Sequence, residues 1–387
     1  MADTPALIAA WARSPVAPHG GAFRALAAHD IAAPVLQALL QRAGVAPEAV
    51  DAVVLGNALG AGGNPARMLA LAAGLPQRCA ALSIDTQCCA GLDAVAVGVG
   101  LLASGQAHVV AVGGVEAWSR APIRQHRPLH PGQAPVAFDR PAFAPDPARD
   151  PDLLQAAADY AAAHGVPRAA QDAYALASHA RAVDHRAAVT AEIVPVAGLA
   201  QDAYPRSLGP AAAARLPIQA RSASDHTGAD CAVSTLAIAP RADGAALVLL
   251  VAPSAAQRLG VQARAHWCTS ASVGTDPAMP LLAAEAAAGT ALQRAGLASA
   301  QAVSVVELHD AFAVQGLAFC QGLGLSPDTV NRHGGGIARG HPIGASGAIA
   351  LVRVLADLQQ AGQAGAYGLA AVAGAGGIGA ATLVQWR

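Results

Sequence analysis

Continuous apolar runs alternate along the chain with segments in which apolar residues recur at helical spacing. The continuous runs are typical of buried strands, and apolar residues three or four positions apart indicate helices with one buried face. Strands are predicted at 7–11, 50–55, 107–112, 192–196 and 247–251, and helices at 32–43, 92–102, 168–188 and 346–358. Strands and helices in alternation predict an α/β fold.

The middle of the chain interrupts this alternation. Composition changes near residue 118, and residues 120–152 are rich in proline, arginine and histidine without a clear period. We therefore predict an inserted, largely surface-facing domain over 118–243. The first half of the fold then consists of residues 1–117 and 244–262, and the second half of residues 263–387.

The second half of the chain repeats the first. The five residues 40–44 recur unchanged at 292–296, an offset of 252 residues, and the same order of strand, turn and helix follows in both halves. The same offset aligns Asn57 with His309, each directly after a predicted strand. Identity over five consecutive residues, with the same order of elements, predicts an internal duplication.

Cys88 lies where a predicted strand is followed by a predicted buried helix. A cysteine there faces the free N–H groups and the positive dipole end of the helix, which both favour thiolate over thiol. The small residues Ala90 and Gly91 leave room for another group beside the sulfur. We predict that Cys88 is a nucleophile that becomes acylated. Taken alone, this stretch also fits ordinary buried cysteines, because free cysteine is often a core residue.

His341 occupies a Gly-His-Pro turn before the equivalent helix of the second half. Pro342 fixes a backbone dihedral there, so the imidazole is predicted to be held in place. If the two halves pack as a pseudo-twofold pair, His341 and Cys88 both lie at the starts of central helices. A neutral imidazole beside Cys88 can take the thiol proton. The alternative is a histidine that only caps its helix.

Polar residues after the strand of the second half complete the candidate site. His309 is predicted to donate a hydrogen bond to a developing enolate or oxyanion, directly or through water. The alternative for this stretch is a solvent-facing loop. Asp310 and Phe312 are predicted to line the pocket. Backbone N–H groups of Cys88 and of Ala375, in a glycine-rich turn, are predicted to form the oxyanion hole.

Composition and charge argue against several other classes of protein. Hydrophobic residues make up 54% of the 387 residues, but many are alanine, which favours close-packed helices and sheets over membrane spans. The net charge of −1 without a basic run argues against nucleic acid or an anionic membrane as partner. The six cysteines form no disulfide scaffold and no zinc-spaced cluster, so no metal is predicted. We expect a reducing cytoplasm, since the chain shows no signal-peptide pattern.

These stretches together resemble the thiolase family of acyl-CoA acyltransferases over nearly the whole chain. The motifs that carry the resemblance are residues 13–15, 64–67, 87–92, 113–116, 192–196, 243–246, 309–312, 334–336 and 340–342. The resemblance implies a duplicated five-layer α/β/α/β/α fold in which residues 118–243 form a loop domain that holds coenzyme A. Cys88 would be the acylated nucleophile, His341 its activator, and His309 would replace an oxyanion-hole asparagine. Acyl-CoA and coenzyme A are then substrates, without a permanently bound cofactor.

The chain departs from the family pattern at its second cysteine. Typical thiolases carry an acid/base cysteine in a Cys-x-Gly-Gly-Gly turn near the C-terminus, and Ala373 stands at that position here. The usual Asn-Glu-Ala-Phe loop is His-Asp-Ala-Phe. That loop resembles sterol-carrier-protein-type thiolases, in which a cysteine often stands where this chain has Ala311. Both customary places for a second cysteine therefore hold alanine.

The sequence predicts an acyl-CoA acyltransferase with an acyl-Cys88 intermediate and atypical or weak condensing and thiolytic activity. Loss of a positioned acid/base costs about 10²–10⁴-fold in rate, unless His309 or Asp310 substitutes for it. One alternative is hydrolysis, or transfer to a carbon or heteroatom acceptor, from the same intermediate. Another is a non-catalytic acyl-CoA-binding or scaffolding subunit. We expect a homodimer or homotetramer that can include a further subunit.

Overall fold

A sheet of ten strands forms the centre of the computed structural model, which describes residues 5–60, 63–224 and 230–387. The strands of these residues are β1 (Leu7–Arg13), β2 (Ala17–Pro18), β3 (Ala52–Gly56), β4 (Ala80–Ile84), β5 (Val109–Ala117), β6 (Gln125–His126), β7 (Val136–Ala137), β8 (Ile218–Ala220), β9 (Val233–Ser234), β10 (Ala242–Val251), β11 (Ala265–Gly274), β12 (Val305–His309), β13 (Tyr367–Gly374) and β14 (Ile378–Trp386). The helices are α1 (Ala28–Ala43), α2 (Pro65–Ala72), α3 (Ala90–Ala103), α4 (Leu153–Ala163), α5 (Arg168–Asp184), α6 (Pro210–Ala213), α7 (Pro253–Leu259), α8 (Ala283–Arg294), α9 (Ala313–Leu323), α10 (Gly336–Arg339) and α11 (Ser346–Ala361).

The order of strands repeats between the two halves of the chain. The first half has the order β4-β3-β5-β10-β1, and the second half has β12-β13-β14-β11. In the first half β3 pairs in parallel with β4 and β5, and in the second half β12 pairs in parallel with β13 and with Val330. The remaining pairs of both halves are antiparallel, and β1 joins β11 through two residue pairs. The predicted duplication is therefore visible in the strand pairing.

Two apolar helices occupy the space between the halves. Helix α3 packs on β3 and β5, α11 packs on β12 and β13, and the two helices contact each other. Helix α11 is buried from Ser346 to Leu358, as expected for a helix enclosed by protein. Helix α1 packs on the first half of the sheet and α8 on the second. The result is the five-layer α/β/α/β/α arrangement that the family resemblance implied.

Glycines permit the close approach of the two halves. A Cβ atom built on Gly114 of β5 would lie 1.9 Å from the carbonyl oxygen of Gly344, and one on Gly91 of α3 would lie 2.8 Å from the backbone nitrogen of Ala348. Both contacts are with backbone atoms, which cannot move aside as a flexible side chain can. These positions therefore require glycine.

The predicted strands at 7–11, 50–55, 107–112 and 247–251 overlap β1, β3, β5 and β10. Helix α1 ends at Gly44, which has the left-handed φ of 64° expected of a C-terminal glycine. Helix α5 ends at Asp184, four residues before the predicted end.

The strand predicted at 192–196 is wrong. Residues Thr190–Glu192 form a 3₁₀ turn, and Ile193 makes an isolated bridge with Arg13. The side chain of Glu192 is buried between Arg13 and Arg353, so ion pairing with two distant elements decides the conformation here.

The inserted segment, residues 118–243, contains α4, α5, α6 and two small two-stranded sheets before β10. It is attached to the sheet by charge, because Glu192 and Asp202 both pair with the fully buried Arg13 of β1 at 2.6 and 2.7 Å. Among the described residues, no helix combines the length and the apolar character that a membrane crossing requires.

Candidate active site

Cys88 lies in a 3₁₀ turn, Gln87–Cys89, between the end of β4 and the start of α3. Gln87 has a positive φ of 55°, which is uncommon for a residue with a side chain. Strained backbone is often found where a reactive group must be aimed in one direction. Cys88 itself is 8% exposed and lines a cavity.

His341 reaches Cys88 from the other half of the fold. Its Nε2 atom lies 3.1 Å from the Sγ atom of Cys88, within hydrogen-bond range for sulfur. Gly340 before it has a φ of 107°, a conformation open only to glycine in practice, and the hydroxyl of Ser346 donates to the carbonyl of Pro342 after it. The turn is thus fixed on both sides of the imidazole. The sequence prediction that these two residues meet agrees with this geometry.

Burial determines the resting charge of the pair. Burial raises the pKa of the Cys88 thiol to about 12, although the backbone N–H groups of Cys88 and Ala375 oppose the rise. Burial also lowers the pKa of His341 to about 4. The resting pair is therefore a neutral thiol and a neutral imidazole. The backbone N–H groups favour thiolate, in the direction expected from the sequence, but the loss of hydration outweighs them.

The same two backbone N–H groups mark a site for negative charge. The N–H groups of Cys88 and Ala375 both lower the pKa of the Cys88 thiol, and Ala375 begins a turn in which Gly376 and Gly377 have φ values of 80° and 75°. Preorganised N–H donors beside a nucleophile are the usual construction of an oxyanion hole. The arrangement can stabilise an oxyanion that forms next to Cys88.

His309 lies behind His341 and does not line the cavity. The two ring centroids are 4.3 Å apart in an edge-on arrangement, and the His309 ring rests against Gly336. His309 is 4% exposed, and its Nε2 atom has no hydrogen-bond partner among the described residues. Burial, assisted by His341 and Arg339, lowers the pKa of His309 well below its usual range. His309 is therefore neutral, and its free nitrogen can bind a water molecule.

The two other predicted pocket residues, Phe312 and Asp310, lie in different surroundings. Phe312 lines the cavity that contains Cys88. Asp310 does not: it is fully buried, accepts a hydrogen bond of 2.9 Å from the hydroxyl of Tyr174, and accepts another from the backbone N–H of Ile337. The prediction that Asp310 lines the pocket is corrected accordingly, because Tyr174 of α5 and the backbone of α10 hold its buried carboxylate. Asp310 therefore stabilises the fold behind the site.

Glu116 is a site residue whose role sequence reasoning missed. Its buried carboxylate accepts hydrogen bonds from the side chain of Asn57 at 2.8 Å and from the backbone N–H groups of Ala58 and Gly344 at 3.0 Å each. Burial raises its pKa to about 7. The signal was an acidic residue at the end of the apolar strand β5, where a carboxylate needs partners if it is buried.

The cavity above Cys88 has a volume of about 430 Å³. Its wall combines apolar side chains with a few polar ones, as in most small-molecule sites. The polar side chains are Gln87, Trp118, Arg124, Asp139, Arg140, Asp152, Arg241, Gln315 and His341. Ala311 and Ala373, the two places where the sequence lacks a second cysteine, also line it. Among the described residues, the cavity wall thus carries one thiol and one imidazole.

The remaining cysteines lie elsewhere. Cys89 is buried, with its sulfur 3.7 Å from the carbonyl oxygens of Val372 and Ile378. Cys79, Cys231 and Cys320 are buried and Cys268 is half-buried. Within the described ranges, no group of three or more histidine, cysteine, aspartate or glutamate side chains is arranged to hold a metal ion.

Comparison with known proteins covers nearly the whole chain. Residues 6–254 match the family described as "Thiolase, N-terminal domain", and residues 261–386 match "Thiolase, C-terminal domain". The chain belongs to the thiolase family. It is therefore an acyltransferase enzyme by family.

Individual relatives agree with this assignment. The chain is 36% identical over 377 residues to an acetyl-CoA acetyltransferase of Shinella zoogloeoides, covering 93% of this chain and 94% of the relative. It is 35% identical over 380 residues to one of Thiocystis violacea, with the same coverage.

Solved structures also superpose closely on this thiolase. The acetyl-CoA acetyltransferase of Bacillus anthracis has a TM-score of 0.89 at 29% identity, covering 99% of both chains. The Acat5 thiolase of Ascaris suum, solved in complex with coenzyme A, has a TM-score of 0.88 at 26% identity, covering 99% of this chain and all of the other.

Proposed function

We propose that this thiolase transfers acyl groups from acyl-CoA through a thioester on Cys88. The observation that carries the proposal is the 3.1 Å contact between Cys88 Sγ and His341 Nε2 in the wall of a cavity. The relatives named acetyl-CoA acetyltransferase, and a structural neighbour solved with coenzyme A, support an acyl-CoA substrate.

In the first step, Nε2 of His341 takes the thiol proton as the sulfur of Cys88 attacks the thioester carbonyl carbon. The carbonyl oxygen becomes an oxyanion that the N–H groups of Cys88 and Ala375 bind. The C–S bond to coenzyme A then breaks, and His341 returns the proton to the departing thiolate. Because both partners rest neutral, the proton moves only as the new bond forms, which is general-base catalysis.

The second half-reaction is atypical. Condensation with a second acyl-CoA requires a base that removes a proton alpha to a thioester carbonyl, and Ala373 cannot act as one. Ala373 lines the cavity beside Ala375, and Cys88 is the only thiol on the part of the cavity wall that the structure describes. We expect weak condensation of unactivated acyl-CoA and weak thiolysis, reduced by about 10²–10⁴-fold relative to a site with a positioned acid/base.

Intact-protein mass spectrometry after incubation with acetyl-, butyryl- or octanoyl-CoA tests the acyl-enzyme. The wild type is expected to gain one acyl group, Cys88→Ala none, and His341→Ala is expected to gain it about 10²–10⁴-fold more slowly. Cys89→Ala is the matched control and is expected to leave acylation unchanged. The sulfur of Cys89 faces the carbonyls of Val372 and Ile378. A wild-type protein that gains no acyl group with any donor contradicts the proposal and favours the non-catalytic binding subunit.

Hydrolysis, or transfer to another carbon or heteroatom acceptor, is the alternative fate of the same intermediate. Release of free acid from acyl-CoA without any acceptor would identify the hydrolase. The closed position of Cys88, which is 8% exposed, argues for controlled acceptor access over open hydrolysis.

The division of labour between domains is part of the proposal. Residues 1–117 and 244–262 supply the nucleophile, residues 263–387 supply the histidine turns, and residues 118–243 form the coenzyme A side. Trp118, Arg124 and Phe143 of the inserted segment line the cavity, which supports this assignment.

We further propose a homodimer or homotetramer. Within the described residues β4 pairs on one edge alone, with β3, and its Leu82 is exposed together with Met68 and Leu71 of α2. A strand edge bordered by apolar side chains favours pairing with another copy. Light scattering of the wild type is expected to give a dimer or larger, and Leu82→Glu a smaller species.

A further inference from the structure

The acceptor half-reaction needs a carbanion, and the described cavity wall offers a single imidazole to make one. His341 contacts the Cys88 sulfur at 3.1 Å in the free enzyme, and burial lowers its pKa to about 4, so it is a weak base for a carbon acid even when Cys88 is acylated. Of the two wall carboxylates, Asp152 accepts the N–H groups of Leu154 and Gln155 at the start of α4, and Asp139 is exposed to solvent. A solvated carboxylate is far too weak a base for a carbon acid of this kind. An acceptor that forms its carbanion by breaking a bond other than C–H needs no base.

Arg124 marks where such an acceptor can bind. Its Nη2 atom donates to the carbonyl oxygens of Ala58 and Leu59 at 3.2 and 2.9 Å, which holds the guanidinium on the cavity wall. Among the described residues it forms no ion pair with a carboxylate. A half-buried, uncompensated guanidinium favours an anionic ligand, and its planar donor set fits a carboxylate in particular.

Hydrogen bonds connect Arg124 to the turn that carries His341. Ala58, to which it is bonded, also donates its N–H to Glu116, and Glu116 accepts the N–H of Gly344 in the His341 turn. The other wall arginines are occupied differently: Arg140 pairs with Asp150, and Arg241 stacks over the ring of Trp118 at 4.9 Å. Arg124 is therefore connected to the catalytic turn through Ala58 and Glu116, whereas Arg241 adjoins His341 directly through the backbone and has its guanidinium over Trp118.

We propose that the physiological acceptor is an α-carboxyl thioester of the malonyl type, bound by its carboxylate to Arg124, and that condensation proceeds with loss of CO₂. The inference rests on the proposed acyl-Cys88 intermediate. It names the class of acceptor for that intermediate.

The step balances without any further reagent. The bond between the α-carbon and the carboxylate breaks and releases CO₂, and its electron pair forms the new bond to the acyl carbonyl carbon. The C–S bond of acyl-Cys88 breaks, and the sulfur takes one proton from solvent through His341. The products are a β-ketoacyl-CoA, CO₂ and the free thiol of Cys88, with no net oxidation or reduction.

The test compares two acceptors on the same acyl-enzyme. Wild-type protein is incubated with acetyl-CoA and either malonyl-CoA or methylmalonyl-CoA labelled at the free carboxyl carbon, or with acetyl-CoA alone. The label and β-ketoacyl-CoA are expected to be released in equal amounts. The rate of their formation is expected to exceed the rate of condensation from acetyl-CoA alone by roughly 10²-fold or more. Acetyl-CoA incubated in heavy water is expected to show no enzyme-dependent exchange at its methyl group.

Variants assign the carboxylate site. Arg124→Gln is expected to raise KM for the carboxylated acceptor and to lower the ratio of condensation to acylation by roughly 10²-fold, with partial recovery in Arg124→Lys. Arg127→Gln is the matched control, since Arg127 is exposed in the same segment and is absent from the cavity wall, and it is expected to change neither rate.

Three outcomes overturn the inference. If acyl-Cys88 forms normally but neither acceptor releases its label, the inference is refuted and the proposed function stands. Equal rates with acetyl-CoA and malonyl-CoA, or label released without β-ketoacyl-CoA, also refute the inference. A wild type that gains no acyl group refutes the proposed function itself, which the mass spectrum distinguishes from the other cases.

Discussion

Glu116 and Gly344 are joined across the two halves of the fold by a hydrogen bond of 3.0 Å from the N–H of Gly344 to Oε2 of the carboxylate. The same oxygen accepts the N–H of Ala58, and the other oxygen accepts the side chain of Asn57. Gly344 follows His341 by three residues in the same turn. One buried carboxylate therefore couples the ends of β3 and β5 to the turn that carries the catalytic imidazole.

Glu116→Gln is expected to slow acylation of Cys88 by roughly 10–10²-fold. In the wild type both carboxylate oxygens accept hydrogen bonds, whereas the NH₂ group of glutamine would face one of these N–H donors and could not accept from it. The wild type should show an acid limb near pH 7, since burial raises the pKa of Glu116 to about 7 and protonation removes an acceptor. His341 adds no limb there, because its pKa is lowered to about 4. Stopped-flow acylation rates against pH measure the effect.

The control for this prediction is Asp51→Asn. Asp51 also caps backbone N–H groups, those of His108 and Val109, but away from the His341 turn. It should leave the pH profile unchanged. An acid limb that persists in Glu116→Gln would show that another group titrates, and that Glu116 contributes to packing alone.

Gly114→Ala is expected to destabilise the protein by about 3 kcal/mol or more, since the new methyl group would overlap the Gly344 carbonyl. It should also slow acylation, because the displaced turn carries His341. Urea denaturation and acylation rates measure the two effects. Gly100→Ala in α3 is the matched control: nothing lies within 4 Å of its Cβ position. There, alanine should stabilise the helix by about 0.5–1 kcal/mol. Similar stability of the two variants would contradict the close contact between the halves.

Glu192→Gln is expected to cost about 3–5 kcal/mol, because it leaves the buried Arg13 and Arg353 without a shared carboxylate. Asp276→Asn, which breaks the exposed pair with Arg149, should cost far less, because exposed ion pairs contribute little to stability. Urea denaturation of both variants measures the difference. Equal costs would mean that the buried ion pairs contribute no more than exposed ones.

The buried ion pairs also predict an acid-sensitive fold. Burial alone would raise the pKa of Asp202, but Arg13 outweighs burial and lowers the pKa. The pKa of Asp357 is lowered in the same way, because His333 and Arg353 outweigh its burial. An acid whose pKa is lowered in the folded state contributes stability above its unfolded pKa and loses it as pH falls. The free energy of unfolding should therefore decrease below about pH 4. Urea midpoints that stay constant from about pH 5 to 3 would contradict this pairing.

Ala373→Cys is expected to raise condensation of acetyl-CoA alone by about 10²–10⁴-fold, because a thiol on the cavity wall supplies the missing acid/base. Deuterium exchange at the acetyl methyl group should appear together with it. Ala137→Cys, in the exposed strand β7, adds a thiol away from the cavity and should change neither. A wild type that already matches Ala373→Cys would show that the chain possesses a base of its own.

Much of this protein was determined by local sequence. Uninterrupted apolar runs made β1, β3, β5 and β10 predictable, and the repeat of residues 40–44 at 292–296 predicted the duplicated order of elements. Because duplicated halves pack about an approximate twofold axis, the repeat also predicted that Cys88 and His341 meet. The absence of a second cysteine was likewise visible in the sequence alone.

Tertiary structure decided what depends on burial and on long-range partners. The charge state of Cys88 followed from desolvation, which a turn at a helix start does not report. Asp310 left the predicted pocket because Tyr174, 136 residues away, holds it. Glu192, where a strand was predicted to begin, ends a 3₁₀ turn and pairs with Arg13 and Arg353. Periodicity records which face of an element is apolar, but the partner of a buried charge is set only when distant segments come into contact.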